Sequence, residues 1–126
     1  FQIGPDWSIR TGQAIWLPRP GGPELAGELL LASGPGGECY LEFSKTPLTL
    51  AAVARDHNRW SFKSPDAKRP HAGRGKPPPR IAWLYLRQAL TGEALPQVLR
   101  FEQTPEGYWQ LHNAKTGELI KGFLSP

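Results

Sequence analysis

Apolar and polar residues alternate along most of this chain, with the two-residue period of half-buried β-strands. The alternation predicts strands at 7–16, 25–32, 39–43, 50–53, 59–63, 99–101, 109–111 and 119–124. Gly12 falls within the first of these and predicts a bulge there. Turns rich in glycine and proline separate most of the segments, so consecutive strands are expected to pair antiparallel.

Residues 79–91 depart from this period and predict the main helix of the chain. Trp83, Leu86 and Leu90 recur at helical spacing and form an apolar stripe. Prolines are tolerated before a helix, and Gly92 is suited to end it. Strands are the available partner for the stripe, which is expected to pack on Leu29, Leu31, Leu41 and Phe43.

The expected fold class is therefore α+β. One curved antiparallel sheet of seven or eight strands forms an unclosed half-barrel, and the helix covers its concave face. With 126 residues, 1–126 are expected to form a single domain. A hydrophobic content of 39% excludes a disordered chain, whereas 14 glycines and 14 prolines indicate many turns.

The net charge of +4 is compatible with an acidic partner or an anionic membrane surface, but it is not the pattern of a nucleic-acid clamp. Segment 64–79 lacks periodicity and is predicted to be a basic loop rich in proline and glycine, with Lys68, Arg69, Arg74 and Lys76. Within it, 73–76 resembles a phosphate-binding loop only superficially, because no strand was predicted before it and prolines follow it.

Residues suited to catalysis do not form a convincing set. A nucleophile, an orienting group and a base could be supplied by Cys39, Asp56 and His57. Asp56 and His57 are adjacent in a predicted turn, however, and would point apart. Cys39 is more simply a small buried apolar residue. The histidines lack metal-ligand spacing, and a single cysteine forms no disulfide within the chain. We expect no enzyme activity, no metal and no cofactor.

Most of the five tryptophans are expected in the core, since they fall in predicted elements. A helix lying across a half-open sheet often leaves an apolar crevice, however, and such a crevice could hold an acyl chain. The alternative is a fully packed scaffold or protein-interaction domain without a lipid cavity.

Three segments resemble the LolB family of outer-membrane lipoprotein receptors and, more loosely, the related LolA carriers. Segment 7–14 resembles the opening strand of that family, and segment 40–48 its strand and Pro-Leu turn. Segment 79–96 resembles the helix that runs into a glycine and proline exit. The resemblance implies an unclosed barrel covered by a helix, in the bacterial periplasm or on the outer membrane.

The same resemblance implies binding of lipid or lipoprotein acyl chains by a monomer, with an exposed leucine assisting lipid transfer at the position of Leu48. Pro47 could force Leu48 out of the strand ladder to the tip of the turn, although a core position is equally compatible with the alternation. The lipid-binding candidates are Leu29, Leu31, Leu41, Phe43, Leu48, Trp60, Trp83, Leu86 and Leu90.

Overall fold

The computed structural model describes residues 4–65 and 69–125. These residues form nine strands and one short helical segment between the sixth and seventh strands. The strands are β1 (Ser8–Leu17), β2 (Leu25–Ser33), β3 (Cys39–Lys45), β4 (Leu48–Arg55), β5 (Arg59–Lys63), β6 (His71–Arg74), β7 (Leu99–Gln103), β8 (Tyr108–Asn113) and β9 (Leu119–Leu124). The helical segment is a 3₁₀ helix, Ala82–Tyr85, continued by the α-helix α1, Leu86–Leu90.

All nine strands pair antiparallel in one sheet, in the order β6-β5-β4-β3-β2-β1-β9-β8-β7. In the part of the chain that the structure describes, β6 and β7 each have a single strand neighbour, so the sheet is not closed into a barrel. The predicted fold class, a curved antiparallel sheet with one helix, is confirmed.

The strand β6 corrects the prediction of an unstructured loop over 64–79. Its four residues pair with β5 in the register Arg59↔Arg74 to Phe62↔His71. The sequence His-Ala-Gly-Arg has no apolar alternation, so its strand state depends on the neighbour rather than on its own pattern. Lys68, which was assigned to the same loop, lies outside the described residues.

Gly12 does not form the predicted bulge. The register of β1 runs unbroken through it, opposite Leu29 on one side and Leu124 on the other. A Cβ at Gly12 would lie 1.8 Å from the carbonyl oxygen of Phe123, so glycine is required because β9 approaches too closely for any side chain. The irregularity lies instead between Phe43 and Ser44.

The helical segment is shorter than the predicted helix over 79–91, and its first turn is 3₁₀. Ile81 precedes it with φ −111° and ψ 88°, which is not helical. The proline run is held in place by two hydrogen bonds: the Tyr85 hydroxyl donates to the Pro77 carbonyl at 2.6 Å, and Asn113 Nδ2 donates to the Pro79 carbonyl at 2.9 Å. Tertiary contacts, rather than helix propensity, therefore set where the helical segment begins.

The core lies between the helical segment and the inner face of the sheet. Trp83 stacks on Phe43 with ring centroids 5.0 Å apart, and the edge of Trp16 meets Trp83 at 5.8 Å. Leu29, Leu31, Leu41 and Leu86 belong to the same buried cluster, with Leu90 packed at its margin. Phe43 therefore packs directly on the helix stripe, as predicted, and the other predicted partners belong to the same core.

Candidate functional site

The seam between helix and sheet is filled by six of the nine lipid-binding candidates. Each of these side chains is at most 4% exposed, and they are Leu29, Leu31, Leu41, Phe43, Trp83 and Leu86. Aromatic stacking and aliphatic contacts thus occupy the space in which the sequence predicted a crevice. In this conformation these residues stabilise the fold, and they present almost no surface to a ligand.

A buried carboxylate fastens the helical segment to the sheet. Glu118 accepts a hydrogen bond from the backbone N–H of Ala82 at 2.8 Å and another from Trp16 Nε1 at 2.9 Å. Burial raises the pKa of Glu118 above its ordinary value, while the two hydrogen bonds lower it in part. The two hydrogen bonds join the helical segment to β1 through the Glu118 carboxylate, so the role of Glu118 is structural.

Cys39, Asp56 and His57 do not form a catalytic set. Cys39 is buried, and desolvation raises its pKa to about 11 even though Arg87 and Arg55 lie nearby, so the thiol is protonated and unreactive at neutral pH. Asp56 instead accepts the backbone N–H groups of Asn58 and Arg59, each at 2.8 Å, and these bonds lower its pKa. Its role is to form the β4–β5 turn.

Leu48, Trp60 and Leu90 are the candidates outside the packed seam. Leu48 is 63% exposed at the start of β4, just after the two-residue turn Thr46-Pro47, so the prediction of an exposed leucine at this turn is confirmed. Trp60 is half-buried on β5, and Leu90 is half-buried at the end of α1. The nine candidates therefore do not meet in one site.

A groove that the sequence did not predict runs past the centre of the sheet. Its volume is about 970 Å³, and it is lined by residues 13–15 of β1, 26–28 of β2, 44–46 after the bend in β3, 102–104 of β7 and beyond, 108–110 of β8 and 121–123 of β9. We call it the β1–β9 groove, after the two strands at its centre. No local pattern could reveal it, because its walls come from six segments that are distant in sequence.

The lining of the β1–β9 groove is mostly apolar with charged groups among it. The rings of Phe123 and the 60% exposed Tyr108 lie 5.4 Å apart in this lining. Lys45 and Lys121 are basic members of the lining, and Glu28 and Glu102 are acidic ones. Such a surface can bind an apolar chain and pair with a polar end group.

Trp109 is a lining residue of this groove whose polar atom is covered by protein. The side chain is 3% exposed, and its indole Nε1 is buried and finds no acceptor among the described residues. Trp83 Nε1 in the seam is buried and unpaired in the same way, so these donors do not distinguish the groove from the seam.

The β1–β9 groove reaches the exposed leucine turn. Lys45 and Thr46 line the groove, and Lys45 pairs in register with Leu48. Leu48 is thus a neighbour of the groove residues, not of the packed seam. This proximity joins two apolar features that the sequence had placed in different parts of the fold.

No protein-family model matches this chain, and no curated protein matches it significantly. The resemblance to the LolB and LolA family therefore stays a prediction. Among residues 4–65 and 69–125, no helix is long and apolar enough to cross a bilayer. The same residues contain no group of three or more His, Cys, Asp or Glu side chains arranged to hold a metal ion.

Proposed function

We propose that this chain is a non-catalytic domain that binds an acyl chain of a lipid or lipoprotein, and that the chain lies in the β1–β9 groove rather than in the seam. The groove volume, about 970 Å³, is the observation that carries the proposal. It falls at the upper end of the roughly 300–1,000 Å³ that ligand sites usually span.

A further feature supports an acyl ligand. The exposed Leu48 beside the groove gives an apolar contact for a chain that leaves a membrane or a carrier.

The location and partners belong to the same proposal. The resemblance of three segments to the LolB and LolA family supports the bacterial periplasm or the periplasmic face of the outer membrane. We propose that the protein is a monomer that contacts an acyl chain and a membrane surface. The proposed function involves no cofactor and no nucleic acid.

Uptake of a fluorescent fatty acid tests this function. Cis-parinaric acid gains fluorescence in an apolar site, and Ala26→Trp should abolish that gain by filling the groove from an exposed position. Ala94→Trp is the matched control, since it adds the same ring at an exposed residue outside the groove lining.

Equal fluorescence with Ala26→Trp and Ala94→Trp would overturn the groove as the site. A wild-type protein that is folded but takes up no probe would overturn acyl binding altogether. That outcome favours the second candidate, a packed protein-interaction domain of the cell envelope, for which the filled seam of Trp83 and Phe43 is the supporting observation.

A further inference from the structure

Positive charge is concentrated at one side of the sheet. Residues 57–81 contain seven of the 15 lysines and arginines but one of the 11 acidic residues, so the rest of the chain carries eight basic and ten acidic residues. The described part of this segment includes β5 and β6, and we call residues 59–63 and 69–76 the basic edge. The described residues of this segment carry six basic and no acidic side chains, and five of the six lie in the basic edge.

Two arginines on the basic edge face each other at close range. Arg59 of β5 and Arg74 of β6 are directly opposite in the register. Gly75 donates its backbone N–H to the Asn58 carbonyl at 2.9 Å, which makes Arg59↔Arg74 a non-hydrogen-bonded pair, the closer of the two antiparallel pair types. Among the described residues, no carboxylate lies within salt-bridge distance of either guanidinium; Asp56 at the β4–β5 turn attracts Arg59 without forming an ion pair.

The same register leaves backbone groups of β6 pointing outwards. Because Gly73 and His71 direct their N–H and C=O groups towards β5, those of Ala72 and Arg74 point to the open side. No other described strand pairs with that side. An extended chain could therefore continue the ladder there.

The other face of the basic edge is aromatic. Trp60 pairs with Gly73, and a Cβ at Gly73 would lie 2.7 Å from Cζ2 of the indole, so the ring lies over the edge strand. The two faces of β6 thus differ, with Arg59 and Arg74 on one and Trp60 on the other.

We propose that β6 receives an extended acidic segment of a partner protein as an added strand. Alternate residues of this segment are acidic and lie against Arg59 and Arg74, and the residues between them are apolar and lie against Trp60. The carboxylates form ion pairs with the two guanidinium groups, and the backbone of the segment pairs with Ala72 and Arg74.

Protection of the edge against aggregation does not account for these features. A charge that prevents edge-to-edge aggregation has to lie on the outermost strand, as Arg74 does on β6. Arg59 lies on β5, where its charge does not cover the edge. The proposal is also independent of acyl binding, since Ala72 and Arg74 do not line the β1–β9 groove.

Fluorescence anisotropy with a labelled octapeptide that alternates Glu and Val tests the proposal. Arg59→Gln with Arg74→Gln should weaken binding about tenfold or more, because it removes both cations that face the acidic residues of the peptide. The control Arg100→Gln with Lys115→Gln removes the same charge at exposed residues elsewhere and should change binding little. A peptide with four Glu followed by four Val has the same composition and should bind weakly, because it cannot present two faces.

Backbone pairing is tested by Ala72→Pro, which removes an outward N–H, against Ala72→Thr, which keeps it. The proline variant should lose peptide binding while its circular dichroism and melting stay close to those of the threonine variant. In the wild type, peptide should slow hydrogen exchange of the Ala72 and Arg74 amides.

Several outcomes would overturn the proposal. Equal loss in both charge variants would indicate non-specific attraction. Full peptide binding by a folded Ala72→Pro variant would show that the basic edge recognises charge without adding a strand. The same conclusion would follow if the protein did not bind the peptide but bound phosphatidylglycerol vesicles in a way that depends on Arg59 and Arg74. Should the proline variant fail to fold, unchanged exchange at Ala72 and Arg74 in the wild type would be decisive against it.

Discussion

The seam and the β1–β9 groove use the same sheet in opposite ways. In the seam, large side chains such as Trp83 and Phe43 stack on each other, whereas the lining of the β1–β9 groove includes the small residues Ala14, Gly27 and Gly122. Large residues fill the space above the strands, and small residues leave it open. The difference indicates that the seam supplies stability and that the groove is available for a ligand.

The sharpest test of this contrast is truncation of one aromatic side chain in each region. Trp83→Ala should lower the free energy of unfolding by about 3–5 kcal/mol, because the side chain is 1% exposed and leaves a cavity. Tyr108→Ala in the groove should cost less than about 1 kcal/mol, since most of the ring is already in water. Urea denaturation of both variants measures the two values; similar losses would remove the contrast.

Loss of the carboxylate that fixes the helical segment should have the next largest effect. Glu118→Ala leaves the Ala82 N–H and Trp16 Nε1 without an acceptor in a buried place, at a cost of about 2–4 kcal/mol. Cis-parinaric acid uptake by the folded fraction should remain, because Glu118 does not line the groove. Parallel loss of uptake would show that the two regions are coupled.

The close approach of β1 and β9 should be intolerant of a single methyl group. Gly12→Ala brings a Cβ against the Phe123 carbonyl, where the backbone must shift, and should cost about 1–3 kcal/mol. Thr11→Ala, at the exposed neighbouring residue, is the control. Equal thermal melting of the two variants would contradict the required glycine.

Protonation of Glu118 should contribute to the pH dependence of the free energy of unfolding. Its folded-state pKa is raised above the ordinary 4.5, so the folded protein binds this proton more tightly than the unfolded chain. The resulting stabilisation is complete below the unfolded pKa and is lost as the pH rises through the folded pKa. From pH 7 to pH 4, wild type should therefore gain stability relative to Glu118→Gln in urea denaturation; a constant difference would contradict the shift.

The smallest expected effect on stability is that of Leu48→Glu. At 63% exposure, Leu48 should accept a carboxylate with a change within about 0.5 kcal/mol. Binding to liposomes or to a lipopeptide should weaken, because the apolar contact at the turn is lost. A variant as stable as wild type that binds lipid equally well would exclude a role for this leucine.

The strands were predictable because each carries its own alternation. Leu41 and Phe43 on β3, for example, are buried on one face whatever their neighbours are. The strand β6 has no such pattern, and the first turn of the helical segment begins where Glu118, 36 residues away, accepts the Ala82 N–H. Contacts of this kind cannot be read from a local window.

The candidate site was predictable only in part. The sequence left Leu48 open between an exposed turn and a core position, whereas the apolar stripe of Trp83 could be assigned to the seam. Whether the seam was filled depended on the fit of Trp83 against Phe43 and Trp16. The β1–β9 groove depended on the curvature of the assembled sheet, to which six separate segments contribute.

Pairing of β1 with β9 has a consequence for the order of folding. During synthesis β9 emerges after the other eight strands, so β1 stays an open edge until almost the whole sheet exists. The five-residue α1 is too short to persist alone, and Glu118, which fixes the segment before it, also emerges late. Helix docking and completion of the sheet should thus form one late, cooperative step, and a ribosome-bound chain that ends before Glu118 should remain sensitive to protease throughout.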